Sequence, residues 1–141
     1  MNAVVFVWLR WLFAGACVGV VGFLALRGSP YVGELPWIPR WLADWADAHG
    51  VLRNVPAFAA LYYVVLLGLG WRKRVIALVL VCVFAACVEF GQLWVVNRSF
   101  TWADIGASWA GAGLAHGVAV GVVAVRRRVE RTWNLTREAE T

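Results

Sequence analysis

Apolar residues run through this chain in four unbroken blocks, at residues 4–26, 55–71, 75–96 and 104–125. Neither the two-residue alternation of a half-buried strand nor the 3.6-residue stripe of a surface helix interrupts them. Each approaches the roughly 20 residues that a helix needs to cross a hydrocarbon core about 30 Å thick. The pattern predicts an all-α polytopic membrane protein with four transmembrane helices. Three charged residues fall inside the blocks, Arg10, Glu89 and Asp104. Arg10 and Asp104 lie near enough to an end to reach the headgroup region, whereas Glu89 is deep.

Between the first two blocks, Pro30, Pro36 and Pro39 precede a stretch in which Trp41, Leu42, Trp45, Ala48 and Leu52 recur at helical spacing opposite Asp44 and Asp47. Gly50 would stop that helix. With Trp37, the tryptophans suit a short interfacial helix in the first outer loop, because an indole keeps its ring among acyl chains and its N–H among headgroups. The alternative is a loop packed on the helix ends.

Composition agrees with the pattern: 62% of the chain is apolar and 15% charged, against about 25% charged in an average soluble domain. The net charge of +5 raises the question of nucleic acid, and the placement of the charges answers it. Arg72, Lys73 and Arg74, and then Arg126, Arg127, Arg128, Arg131 and Arg137, flank apolar blocks and form no aromatic-interleaved patch. They read as a topology signal. Together with Arg10 they put nine basic residues on one side of the membrane, leaving Arg27, Arg40, Arg53 and Arg98 on the other. By the positive-inside rule both termini are cytoplasmic, and residues 1–141 form a single membrane domain ending in a basic cytoplasmic tail, 126–141. Ala14-Gly15-Ala16-Cys17 resembles a cleavage site, but apolar residues continue past it to Leu26, which argues for a retained span. Cys17, Cys82 and Cys87 show no CxxC spacing and are expected to be small core residues; no metal site and no cofactor is expected.

The polar residues of interest gather at the last two blocks. Glu89 and Gln92, three apart, share a helix face. With the third span running to Val96, the carboxylate sits roughly 12 Å below the outer boundary, where an unpaired charge costs about 2.5 to 3.5 kcal/mol. Arg98 in the following turn offers a partner, and Asp104 opens the fourth span one turn before Ser108. The fourth span is rich in small residues, with Gly111 and then Gly113, Gly117 and Gly121 every four residues, which predicts close packing against the third span. His116 is expected to make an interhelical hydrogen bond.

Glu89-x2-Gln92-x5-Arg98-x5-Asp104-x3-Ser108-x2-Gly111 resembles the signature of the VanZ-like family, small bacterial integral membrane proteins associated with teicoplanin resistance. Arg53-Asn54-Val55-Pro56-Ala57-Phe58 resembles the segment that opens the family's second span. Ser108 stands where the family usually has Asn. The resemblance implies a place in the bacterial cytoplasmic membrane and a role in the cell envelope. Three readings of the cluster Glu89, Gln92, Arg98, Asp104 and Ser108 stand open. It binds a lipid or cell-wall headgroup or glycan near the outer leaflet, with Arg98 held by Glu89 or Asp104 and presenting its remaining donors to the ligand; or Glu89, Gln92, Arg98 and Asp104 form a scaffold network in a chain that packs against a copy of itself or a membrane partner; or it serves an enzyme of lipid-linked substrates with Glu89 as general base.

Overall fold

The computed structural model describes residues 3–139, with side chains for residues 5–133. Every regular element among them is helical. Helix α1 spans Ala3–Leu26, α2 Arg40–Ala48, α3 Asn54–Leu69, α4 Arg74–Gln92 and α5 Trp102–Ala139, with single 3₁₀ turns at Val32–Glu34 and Trp71–Lys73. Helices α1, α4 and α5 are each long and apolar enough to cross a membrane; α3 is apolar but shorter, at 16 residues.

The short helix holds the centre. Phe58, Leu61 and Tyr62 of α3 are buried against Ala77, Val81 and Ala85 of α4 and against Ala112 and Ala115 of α5. Aromatic and branched side chains on α3 thus fill the space left by alanines on its neighbours, the arrangement expected where van der Waals packing drives helix association in lipid. Two polar contacts cross the same interface. Tyr62 Oη lies 2.8 Å from His116 Nδ1, the interhelical bond expected of that histidine, and Tyr63 Oη donates to the Ala115 carbonyl at 3.1 Å.

Several boundaries and faces differ from the sequence expectation. The third span ends at Gln92 rather than Val96: the chain tightens into i→i+3 bonds, Trp94 N–H to Gly91 and Val95 N–H to Gln92, and Asn97 stops it with φ at 62°. Asparagine is among the few residues that take this left-handed conformation readily. The fourth span starts two residues before Asp104, and its helix runs unbroken from the apolar part through the basic residues to Ala139. Gly111 does not have its nearest neighbours on α4. It abuts α3, where a Cβ would collide with the Val55 carbonyl oxygen and come within 2.9 Å of the carbonyl carbon. Gly113, Gly117 and Gly121, also expected in a helix contact, have nothing within 4 Å. The reason is angular: at about 100° per residue Gly113 points some 200° away from Gly111, so the four-residue repeat faces outward while Ser108, Gly111 and Ala115 face in. Cys87, expected in the core, is exposed.

Helix α2 uses a different face from the one its tryptophans suggest. Ala43 and Ala46 are buried while Trp41 is 73% exposed. Asp47 turns inward, accepting the Val32 N–H at 2.6 Å and the Gly33 N–H at 2.9 Å, with Arg53 3.6 Å away. Arg53 in turn donates to the Pro30 carbonyl at 3.0 Å. These bonds fold the loop 29–53 over the ends of α1 and α3.

Candidate functional site

Under that loop lies a cavity of about 400 Å³. Its polar lining is Arg53, Asn54, Glu89, Gln92, Arg98 and Asp104; the apolar lining includes Val21 and Leu24 of α1, Ile38 and Trp45 of the loop segment, Phe58 of α3 and Val88 of α4. Four of the five polar residues singled out by spacing therefore meet around one space. Ser108 does not line it.

Each polar group reaches the cavity for a local reason. Glu89 and Gln92 lie in the last turn of α4 and are buried, 6% and 7% exposed. Because the helix stops at Gln92, Glu89 is about 5 Å from its end, less than half the depth expected from a span continuing to Val96. Gln92 Nε2 donates to Glu89 Oε1 at 3.3 Å. Glu89 Oε2 is buried with no hydrogen-bond partner among the described residues. An acceptor that finds no partner costs on the order of 1 to 3 kcal/mol.

Arg98 is not held by Glu89 or Asp104: among the described residues no ion pair joins it to either. It reaches back to α1, Nε donating to the Arg27 carbonyl at 3.0 Å and Nη2 to those of Leu24 and Ser29 at 3.0 and 3.2 Å. The last turn of a helix leaves carbonyls without partners, and a planar guanidinium supplies several donors at once where an ammonium is a point charge. Arg98 thus caps α1 and ties it to the turn after α4.

Asp104 is engaged on both oxygens. Oδ1 accepts from Asn54 Nδ2 at 2.7 Å, and Oδ2 from Thr101 Oγ1 at 2.6 Å, while Thr101 Oγ1 accepts the Asp104 backbone N–H at 3.1 Å. Thr101 precedes the first residue of α5 and Asp104 is third in it, so the Thr101 hydroxyl caps the helix by accepting the Asp104 N–H while donating to its carboxylate, with an acidic residue favourably placed at a helix N-terminus. Thr101-x2-Asp104 ahead of an apolar run carried that signal in the sequence. Asn54 opens α3, so its bond to Asp104 fastens the beginnings of α3 and α5 together; nothing local to residue 54 points to this partner. Ser108, 2% exposed, donates to the Asp104 carbonyl at 2.8 Å.

The site is therefore two-sided. Asp104, Ser108 and Arg98 have their principal bonds within the protein, whereas Glu89 has an oxygen to offer at the cavity and Gln92 spends one amide hydrogen on its neighbour. A molecule with a polar head and an apolar body matches such a lining, since convergent polar groups fix orientation and apolar walls supply contact.

Comparison with known proteins agrees with the residues. No curated protein and no solved structure matches the chain. The sequence model of the VanZ/LLP1 family matches residues 29–125, which takes in the loop over the cavity, α3, α4 and the apolar part of α5. The chain belongs to the VanZ/LLP1 family.

Proposed function

We propose that this protein binds the headgroup of a lipid or lipid-linked cell-wall glycan at the outer side of the bacterial cytoplasmic membrane. In this reading four helices cross the bilayer, α3 among them, with both termini cytoplasmic and α2 lying at the outer interface. Placement of nine basic residues opposite four supports the orientation. At 16 residues α3 is about 24 Å long, within reach of a bilayer that thins locally around a short span. The outward-pointing Trp41 and Trp37 on the loop suit headgroup depth.

The observation that carries the binding reading is the buried, unpartnered Glu89 Oε2 beside a cavity bounded by polar groups on one side and apolar ones on the other. A scaffold would be expected to satisfy its own members, and here Asp104, Arg98 and Ser108 have their partners within the protein while one oxygen of Glu89 has none among the described residues. An enzymatic role for Glu89 would need a reacting group delivered by the ligand, and binding is prior to it in either case.

Glu89→Gln tests the proposal, keeping shape while removing the charge and replacing one acceptor oxygen by a donor. The variant should reach normal membrane abundance and melt within a few degrees of the parent, yet fail to restore envelope-stress or glycopeptide resistance to a deletion strain. Full complementation by Glu89→Gln would return the cluster to a packing role.

A further inference from the structure

A second cavity, of about 270 Å³, lies in line with the first along the same helices. On α1 the outer cavity is bordered by Val21, Leu24 and Ala25 and the second by Trp11, Ala14, Gly15 and Val18; on α3 by Asn54, Pro56, Ala57 and Phe58 and then Leu61 and Val65; on α4 by Val88, Glu89 and Gln92 and then Leu80, Val81 and Phe84. Both spaces therefore follow one seam between α1 and the α3–α4 pair. The outer one has six polar residues in its lining; every side chain bordering the inner one is apolar or aromatic. From Trp11 to Leu24 is thirteen residues, so the seam extends roughly 20 Å along α1.

Phe84 stands between the two spaces. Its ring comes within 3.5 Å of where a Cβ on Gly22 would sit, and it packs at 6.4 Å, ring centre to ring centre, from Phe58, which borders the outer cavity. α1 closes the seam with little else. Ala14 is its one buried residue among those described; a Cβ on Gly68 of α3 would lie 3.4 Å from that of Ala14, and a Cβ on Gly91 of α4 would lie 3.0 Å from Leu26 Cδ2.

We infer that the inner cavity takes the hydrocarbon chain of the same amphiphile whose head occupies the outer cavity. Phe84 is then a partition that the chain displaces or passes, making it a determinant of chain length. This deepens the headgroup reading and rests on it: the ligand class becomes a long-chain lipid rather than a free sugar or peptide. The geometry favours one molecule in both spaces because polar residues border the outer space alone and none borders the inner one, with the change occurring along the direction of the helices. An acyl or prenyl chain already in the bilayer gains little from apolar burial alone, so the polar cavity provides the selectivity and the seam selects for length.

The test is native mass spectrometry of the full chain released from gently solubilised membranes, reading the mass and occupancy of retained lipid. The parent should carry one lipid per chain with a narrow range of chain lengths. Gly15→Leu and Gly15→Trp fill the inner cavity from a position with no atom within 4 Å, so they should fold and melt like the parent. Occupancy should fall progressively, several-fold for Leu and to background for Trp, with the lipid remaining on Gly15→Leu shifted to shorter chains. Phe84→Leu should shift it to longer ones, a second readout if the tryptophan variant proves unstable. Glu89→Gln should also lose the lipid. Retention of the parental lipid by Gly15→Trp, with loss only in Glu89→Gln, overturns the chain inference and leaves the headgroup reading intact. Loss in Gly15→Trp with full retention in Glu89→Gln overturns the shared-molecule inference and the headgroup reading together. A parent that carries no lipid, or a ligand without a chain, also overturns the inference.

Discussion

The two sides of α3 are built differently. Toward α5 it packs closely: the Val55 carbonyl lies where only glycine fits at position 111, Tyr62 and Tyr63 bond across to His116 and Ala115, and Asn54 ties the helix starts through Asp104. Toward α1 the same helix borders two cavities, and α1 itself is largely uncovered, with Ala14 alone buried among its described residues. Both sides are apolar, so hydrophobicity does not distinguish them. What differs is the size of the residues presented and the number of directional bonds. A bundle that is rigid on one side and open on the other can admit a ligand along the seam without disturbing its core.

Filling Gly111 is the largest blow to the tight side. Gly111→Leu forces α5 off the Val55 backbone, and backbone cannot move aside as a flexible side-chain end can. Overpacking of this kind costs about 1 to 3 kcal/mol where neighbours can shift and more where they cannot. The variant should lose most folded protein in detergent extracts, whereas Gly113→Leu and Gly117→Leu, on the open face of the same helix, should melt with the parent. Equal effects of Gly111→Leu and Gly113→Leu on the melting temperature would mean that the tight side is not where we place it.

This contrast also shows what the sequence could and could not disclose. The long apolar helices were legible because apolar runs of this length exceed what a buried helix in a small soluble domain needs, and the polar cluster because Glu89, Gln92, Arg98 and Asp104 interrupt or flank them. The direction of α5 was not legible. Its glycines occur on two faces about 200° apart, and the face with the clean four-residue repeat is the one that meets nothing. Arg98 was also misleading: proximity in sequence to two acids suggested ion pairs, but the carbonyls of α1, some seventy residues earlier, were the nearer need. Long-range capping leaves no local trace. Thr101, by contrast, could have been read as a cap, and through it the structural work of Asp104.

A smaller effect sharpens the role of that acid. Asp104→Ala removes the acceptors of both the Thr101 hydroxyl and the Asn54 amide, and should destabilise by about 2 kcal/mol, since each of the two hydrogen bonds is worth about 1. Asn54→Ala removes the second of these alone. In a double-mutant cycle read by thermal or denaturant unfolding in detergent, the two changes should couple by about 1 kcal/mol. Strict additivity would show that the Asn54–Asp104 bond does not fasten α3 to α5.

The smallest effect belongs to the open side, at the loop roofing the outer cavity. Burial works against the charge on Asp47, but the N–H groups of Val32 and Gly33 and the nearby Arg53 outweigh it and hold the carboxyl below its ordinary value of 3.8. A carboxyl with a depressed folded pKa binds its proton more readily in the unfolded chain. Its contribution to stability is therefore complete above the unfolded value and is lost as pH falls through the lower folded one. The roof should hold unchanged from neutral pH to about pH 4 and loosen below it, by no more than about 1 kcal/mol for a partly exposed pair. Hydrogen exchange at the Val32 and Gly33 amides, corrected for the intrinsic pH dependence of exchange, reports this directly. Protection should drop below about pH 4 in the parent and be low at every pH in Asp47→Ala, while the Tyr62 and Ala112 amides in the tight interface stay protected throughout. Acid-induced exchange that appears equally at Ala112 would mean that the two sides of α3 open together, and the contrast between them would not hold.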